Sequence, residues 1–341
     1  MRQAVMTEPG KIEFQDAPEP VFGDDEILLR IQRIGVCGSD IHVWHGKHPF
    51  TTYPVVQGHE FSAQVEAVGK NVKKAKPGMR ATARPQLVCG TCGPCKRGDY
   101  HVCQNLRVQG FQAPGCAQDL FVVPEDRLVI FPDSMSYEQG ALIEPVSVGA
   151  HSTGRAGNLR GKNVVVTGAG TIGNVVAQFA QARGAAKVLI TDISDFRLDI
   201  AKVCGIQYTA NATKESFEAA LKRVFGEVGF QVGFEAAGVP ATITDLIQYI
   251  EKGSEIIILG VFEENPTINM GFVGEHELNL IGSLMYKHED YEEAVEFISR
   301  GKIETDPLVT KHFPLEAYVD AYHFIEEQGD RTMKVMIDFM Y

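Results

Sequence analysis

The stretch Val164-Val165-Val166-Thr167-Gly168-Ala169-Gly170-Thr171-Ile172-Gly173 runs from a β-branched apolar segment straight into three glycines spaced G-x-G-x-x-G. Branched side chains suit a buried strand, and glycines at that spacing let the chain turn sharply and enter a helix at once. Downstream the texture repeats. A helix is predicted over 175–183, a strand at Lys187–Asp192, a helix over 195–204, and strands over 231–235 and 254–260. Strands alternating with helices demand a parallel sheet covered on both faces. The fold class predicted for this half is therefore α/β, a doubly wound parallel sheet.

That turn is where a pyrophosphate can rest on helix N-terminal amides. Gly168 makes the turn, Gly170 allows close approach and Gly173 lets helix pack on strand, with Thr171 and Ile172 between them in the expected cofactor-binding set. The second strand ends in Asp192, at the distance where an acidic residue receives an adenosine ribose diol and repels a 2′-phosphate, so NAD is expected over NADP. Arg197, on the following helix, completes the expected cofactor-binding set. The bland alternative is a chance glycine turn with Asp192 as a helix cap. The strand, turn, helix and strand context argues against it.

The first 145 or so residues read differently. Short strands such as 26–34 and 64–68 are broken by Gly and Pro, which predicts a mostly β domain. A chain of 341 residues exceeds one ordinary core. After Gly282 come helical segments over 291–300 and 315–328 and a strand-like 333–339, with too little apolar surface to fold alone. The expected organisation is thus a discontinuous first domain, 1–147 with 285–341, and a second domain, 148–284. With 44% hydrophobic and 22% charged residues and a net charge of -12, the composition is that of a soluble globular protein. It disfavours nucleic acid as a partner. Residues 1–14 lack the apolar run of a signal peptide, and no segment approaches a membrane span. A cytoplasmic location is expected.

Cys89, Cys92, Cys95 and Cys103 follow C-x2-C-x2-C-x7-C, threaded by Gly90, Gly93 and Gly98. Four thiolates complete a tetrahedral zinc ion and leave no position for substrate, so this site is expected to be structural. Disulfides and an iron–sulfur cluster are the competing readings. The close spacing and a reducing compartment favour the ion. Cys116 and Cys204 read as packed thiols.

A second set is dispersed. Cys37-Gly38-Ser39-Asp40-Ile41-His42 and Gly58-His59-Glu60 offer a thiolate, an imidazole and a carboxylate, and Glu144 precedes Pro145. Three ligands plus water make an open, Lewis-acidic zinc, but spacing alone does not bring these segments together. Taken with the quartet and the glycine turn, Gly35-Val36-Cys37-Gly38-Ser39-Asp40, Gly58-His59-Glu60 and Glu144-Pro145 resemble the zinc-dependent medium-chain alcohol dehydrogenases over essentially the whole chain. The stretch Ala141-Leu142-Ile143-Glu144-Pro145-Val146-Ser147-Val148-Gly149 looks most like their polyol (sorbitol or L-iditol) branch.

The resemblance implies a GroES-like catalytic domain beside a Rossmann cofactor domain, and two Zn2+ per chain, one catalytic and one structural. It implies that Cys37 and His59 hold the catalytic zinc with Glu60 or Glu144 as the carboxylate, that Asp40 orients His59, and that Ser39 and His42 relay a proton. The implied reaction is oxidation of a secondary alcohol on a small polyol, sugar alcohol or sugar acid to the ketone, with hydride transfer to NAD+. L-threonine 3-dehydrogenase and butanediol dehydrogenase are the alternatives of the same superfamily. A non-enzymatic zinc and dinucleotide binder would have no use for Cys37, His59, Ser39 and His42 together. Trp44 is expected to wall the substrate pocket, and Tyr286 stands where this branch places a pocket tyrosine. Met285 departs from the pattern, since sorbitol-type enzymes carry an arginine there. By analogy a homodimer or homotetramer is expected, with an apolar strand near 278–281 at a sheet edge.

Overall fold

Asn163–Thr167 is buried at every position, at the centre of a six-stranded parallel sheet in the computed structural model, which describes residues 1–339. The strands stand in the order Tyr208–Asn211, Lys187–Asp192, Asn163–Thr167, Val232–Glu235, Glu255–Ile258 and Asn279–Gly282. The chain steps outward from Asn163–Thr167 in one direction and then, from Val232–Glu235, in the other. That reversal defines a doubly wound dinucleotide fold and bears out the expected class.

Alternate residues of these strands feed two cores, as a period of two requires. Val164, Val166, Ile190, Phe234 and Ile257 pack with Val176, Ala177 and Ala180 of the helix Thr171–Ala182. Val165, Leu189 and Ile256 face the other way, onto Leu221 and Val224 of Phe217–Phe225 and Ile243, Leu246 and Ile247 of Pro240–Tyr249. Ser194 and Ser216 cap their helices by accepting from Arg197 N and Ala219 N, and Pro240 sits at a helix start, where no amide is missed. The helix after the glycines begins at Thr171, four residues before the sequence pattern places it, because Gly170 itself serves as N-cap.

This sheet belongs to a unit made of Pro145–Tyr286 and Arg300–Leu308. The sequence pattern gives 1–147 and 285–341 to the first domain, yet residues 145–147 and 285–286, and a second segment, Arg300–Leu308, group here. The physical reason for the second segment is the Gln178 side chain, which donates to Glu304 O at 3.1 Å and accepts from Glu304 N at 2.6 Å. Residues 340 and 341 lie outside the described residues.

The other unit comprises Met1–Glu144, Lys287–Ser299 and residues 309–339. Its largest sheet runs Val309–Pro314, Lys334–Asp338, Glu26–Val36, Glu60–Val68, Arg80–Ala83 and Leu128–Phe131, with Leu120–Pro124 also paired to Glu26–Val36. Chain from near the C-terminus thus lies in the middle of a sheet begun near the N-terminus: Ile337 pairs with Ile34 and both are fully buried. A smaller lobe hangs on the two-residue strands Gln86–Leu87 and Arg107–Val108. Among the described residues no helix is long and apolar enough to cross a membrane.

Phe234 is fully buried between two neighbouring strands of the parallel sheet. Truncating it leaves a cavity that strands hydrogen-bonded on both sides cannot close, so Phe234→Ala should cost about 3–5 kcal/mol. A drop in the denaturant midpoint at unchanged slope checks this; an unchanged midpoint contradicts it.

Candidate metal and dinucleotide sites

The small lobe holds the cysteine quartet. Gly90 and Gly98 take φ of 69° and 84°, conformations that bend the backbone around a point. One ligand atom of each of Cys89, Cys92, Cys95 and Cys103 lies within 4.8 Å of the others. Cys89 and Cys103 sulfurs are 3.5 Å apart and those of Cys92 and Cys103 are 3.9 Å apart. Those separations are too long for disulfides, and all four are free thiols. They match the edge of a tetrahedron with metal–sulfur bonds of about 2.3 Å, which is about 3.8 Å. Backbone amides point at the sulfurs: Cys89 N donates to Cys103 Sγ at 3.3 Å and Cys92 N to Cys89 Sγ at 3.4 Å. Hydrogen bonds from the Thr91 amide and hydroxyl pull the Cys89 thiol down to about 5, while desolvation and the neighbouring thiols push that of Cys95 up to about 12. The donor set fits a single zinc ion. Cys116 and Cys204, outside the quartet, are buried, and burial pushes the Cys204 thiol up to about 12.

Strand pairing builds the second set. Gly35 lies opposite Glu60 in the antiparallel ladder, so Cys37, just past the end of one strand, arrives beside His59 and Glu60 at the start of the next. Ligand atoms of Cys37, His59 and Glu60 lie within 4.8 Å of one another, which spacing alone could not establish. Cys37 is also the N-cap of the helix Gly38–Trp44, where Asp40 Oδ2 accepts from Cys37 N at 2.9 Å. This leaves Asp40 Oδ1 3.5 Å from His59 Nδ1, long for a hydrogen bond; both atoms are buried and have no other partner among the described residues. Burial disfavours a charged His59, but the Asp40 carboxylate and the Cys37 sulfur outweigh it and hold the ring well above its ordinary pKa. A field that attracts a proton also attracts a metal cation, so this set too fits zinc.

Lys334 was not legible as a site residue. It is 4% exposed; its Nζ donates to both oxygens of Glu60 at 2.7 Å and to Val36 O at 3.1 Å. Burial disfavours its charge, yet Glu60, Cys37 and Glu144 together raise its pKa. The one sequence signal is a lysine at the head of the otherwise apolar Lys334-Val335-Met336-Ile337. Glu144, in the first turn of Ile143–Arg155 and buried, is not among the three residues whose ligand atoms converge.

Ser39 and His42 sit three apart on Gly38–Trp44, hence on one face, and Ser39 Oγ is 3.8 Å from Cys37 Sγ. Trp44 requires a correction. It is buried in the hydrophobic core, stacked on Tyr322 at 4.7 Å, with Nε1 donating to Glu326 at 3.1 Å. The turn from Ser39 to Trp44 carries it to the helix's inner side, so it is packing rather than pocket wall. Tyr286 is fully buried as well and offers no surface to a ligand.

In the parallel-sheet unit Gly168 has φ of 93°, and a Cβ there would meet Ala236 C at 2.9 Å and Ala237 N at 3.0 Å. A Cβ on Gly173 would run into Gly168 O, whereas one on Gly170 meets nothing within 4 Å. The open approach is therefore at Gly170, the N-cap of Thr171–Ala182, as anion binding at a helix start requires. Asp192 stands beside it, Oδ2 accepting from Ala169 N at 2.6 Å and Oδ1 from Ser194 N at 2.9 Å. Arg197 lies half-buried in the first turn of Asp195–Val203.

Comparisons with known proteins agree with this geometry. Residues 23–133 match the alcohol dehydrogenase GroES-like domain and residues 171–300 match the zinc-binding dehydrogenase domain. The chain is 31% identical to sorbitol dehydrogenase of Bacillus subtilis (strain 168) over 99% of its own length and 97% of the relative's. It is 32% identical to L-threonine 3-dehydrogenase of Rhizobium etli (strain CIAT 652), covering 96% and 94%. An alcohol dehydrogenase of Escherichia coli CFT073 solved with NADH superposes with a TM-score of 0.92 at 26% identity, covering 99% of both chains. With a GroES-like unit, a Rossmann-type unit and full-length relatives that are named dehydrogenases, the chain belongs to the zinc-dependent medium-chain alcohol dehydrogenase superfamily and is itself a dehydrogenase.

Proposed function

We propose that this dehydrogenase oxidises a secondary alcohol on a small polyol, sugar alcohol or sugar acid to the ketone with NAD+, using one catalytic and one structural zinc ion per chain. The observation that carries the reading is the convergence of Cys37, His59 and Glu60 at the end of paired strands, in a chain whose other unit presents a dinucleotide turn with Asp192 beside it. Cys37 and His59 would hold the catalytic ion with Glu60 or Glu144, and the quartet would hold the structural one. When bound, the catalytic ion supplies Lewis-acid polarisation of the alcohol oxygen and the nicotinamide supplies the hydride acceptor.

The chain's own groups do the rest. Ser39 Oγ accepts the hydroxyl proton, and His42, one helical turn on, passes it toward solvent. Asp40 fixes the His59 ring through Nδ1. Lys334 holds both oxygens of Glu60, so Glu60 would reach an ion through the lone pairs that this pairing leaves free, while Glu144 keeps the alternative open. Asp192 accepts the ribose hydroxyls, with Arg197 in the same helix–strand corner.

Met285 adopts φ of 51° where the sorbitol branch carries arginine. The polyol-binding cation of that branch is therefore missing, which favours another small polyol or sugar acid over sorbitol. The 32% identity to a threonine dehydrogenase supports L-threonine as the second reading. Asn279–Gly282, the last strand at one edge of its sheet, offers a second copy a place to pair in a homodimer or homotetramer, and the cytoplasm is the proposed location.

An NAD+ reduction screen over polyols, aldonates, diols and threonine tests this, with metal analysis beside it. Turnover of a secondary alcohol that is abolished by a chelator, with about two zinc ions per chain, is expected. Turnover of threonine alone shifts the reading to the second substrate, and about one zinc ion removes one site.

Replacing Asp192 by alanine removes the charge that repels a 2′-phosphate. Asp192→Ala should move the ratio of kcat/KM for NADP+ over NAD+ upward by about tenfold or more, roughly 1.4 kcal/mol. An unchanged ratio would take Asp192 out of cofactor choice.

His42→Ala should slow alcohol oxidation on the order of 100-fold at low pH and much less at high pH. The sign follows from the relay: at high pH hydroxide removes the proton directly, whereas at low pH the histidine route is needed. A pH profile parallel to the parent's would exclude the relay.

A further inference from the structure

Glu235 ends the strand Val232–Glu235 and is fully buried, yet no ion pair accompanies it among the described residues. Its Oε1 accepts from Ala237 N at 3.0 Å and Gly238 N at 2.9 Å. Thr242 Oγ1 lies 2.7 Å away, its single proton also within reach of Val239 O at 2.6 Å. Its Oε2 has no partner among the described residues. A buried carboxylate oxygen without a partner is costly, so Glu235 asks for an explanation in what its bonded oxygen holds.

What it organises is the seam where three strand exits meet. The backbone of Ala236 and Ala237 is what a Cβ on Gly168 would strike, and Ala236 N donates to Thr167 O at 2.9 Å. The same turn meets the next strand exit: a Cβ on Gly238 would run into Val261 O, and one on Gly260 into Glu235 Oε2 and Gly238 N. Leu259 N and Gly260 N both donate to Glu235 O, at 2.9 and 3.0 Å. One residue therefore fixes, by side chain and main chain together, the segment that buttresses the glycine turn. Asp192 holds the opposite flank through Ala169 N.

We infer that Glu235 is a positioning residue for the dinucleotide: its carboxylate sets the Ala236–Gly238 backbone, and that backbone sets the Gly168 turn on which the pyrophosphate rests. Without the Oε1 acceptor the two amides seek other partners, the buttress moves, and the turn loses the shape that its glycines permit. The inference rests on the reading of the glycine turn as a dinucleotide site, and reaches a residue that never touches the cofactor.

Fluorescence titration with NADH, on the zinc-loaded parent and its variants, tests the inference. Glu235→Ala is expected to raise the Kd for NADH and the KM for NAD+ on the order of tenfold, with kcat at saturating cofactor and zinc content near parent values. Glu235→Gln, which keeps an oxygen acceptor at the Oε1 position, is expected to restore most of the affinity. Parent-like NADH binding by Glu235→Ala overturns the inference, as does a loss confined to kcat. Should Glu235→Ala not fold, Glu235→Met, which fills similar space without an oxygen acceptor for the Ala237 and Gly238 amides, takes its place: weakened NADH binding is expected, and unchanged binding overturns the inference. A parent that binds no dinucleotide at all defeats the proposed function itself, and this inference with it.

Discussion

The ammonium of Lys334 crosses the strand Glu26–Val36 to reach Glu60 on the far side, and the geometry of the GroES-like unit is arranged around that reach. The three strands lie side by side. Gly35, on the middle one, has no side chain where Glu60 Oε2 and Lys334 Cδ pass, so any Cβ there would obstruct the pair. Taking two charges out of water is costly, and removing one partner of such a pair typically costs about 3–5 kcal/mol. The contact therefore ties the strand nearest the C-terminus to the register that delivers Cys37 and His59. The discontinuity of this unit and the geometry of its metal set are one constraint.

The quartet lobe solves a different problem. Its residues are mostly exposed or half-buried, Cys103 and His101 being exceptions, so apolar burial has little to work with. Short strands, positive-φ glycines and amides aimed at sulfur converge on one point, where four thiols stand at the separations a tetrahedral ion would need, and such an ion would do the work of a core. The Rossmann unit needs no such brace: its central strands are apolar on both faces, and helices cover each.

Features written within a few residues were legible in the sequence. The glycine turn, Asp192 at the end of the second strand, and the cysteine quartet all follow from local spacing and strand periodicity. Cys37 and His59 were nameable through resemblance, but their meeting depends on Gly35 pairing with Glu60 across twenty-odd residues, which no local pattern encodes. Lys334 was invisible for the same reason at greater range: it is separated by 274 positions from Glu60. Trp44 misled because proximity in sequence to Cys37 suggested a shared pocket, while the helical rotation between them turns the indole inward onto Tyr322. Arg300–Leu308 shows the same limit. Its allegiance is set by Gln178, more than a hundred residues earlier.

Charge explains why the metal set asks for a cation at all. Cys37, Asp40, Glu60 and Glu144 bring acidic groups to one end of the sheet, and Asp40 and Glu60 are essentially excluded from solvent. Lys334 answers only part of that charge. Asp40 and Cys37 lie against the buried His59 ring and raise its proton affinity despite the cost of burial. A divalent ion is a better answer: it neutralises more charge, takes the thiolate as a bond rather than a neighbour, and needs the imidazole neutral. The acidic surplus left by one buried lysine is what makes the donors of this set suit a cation.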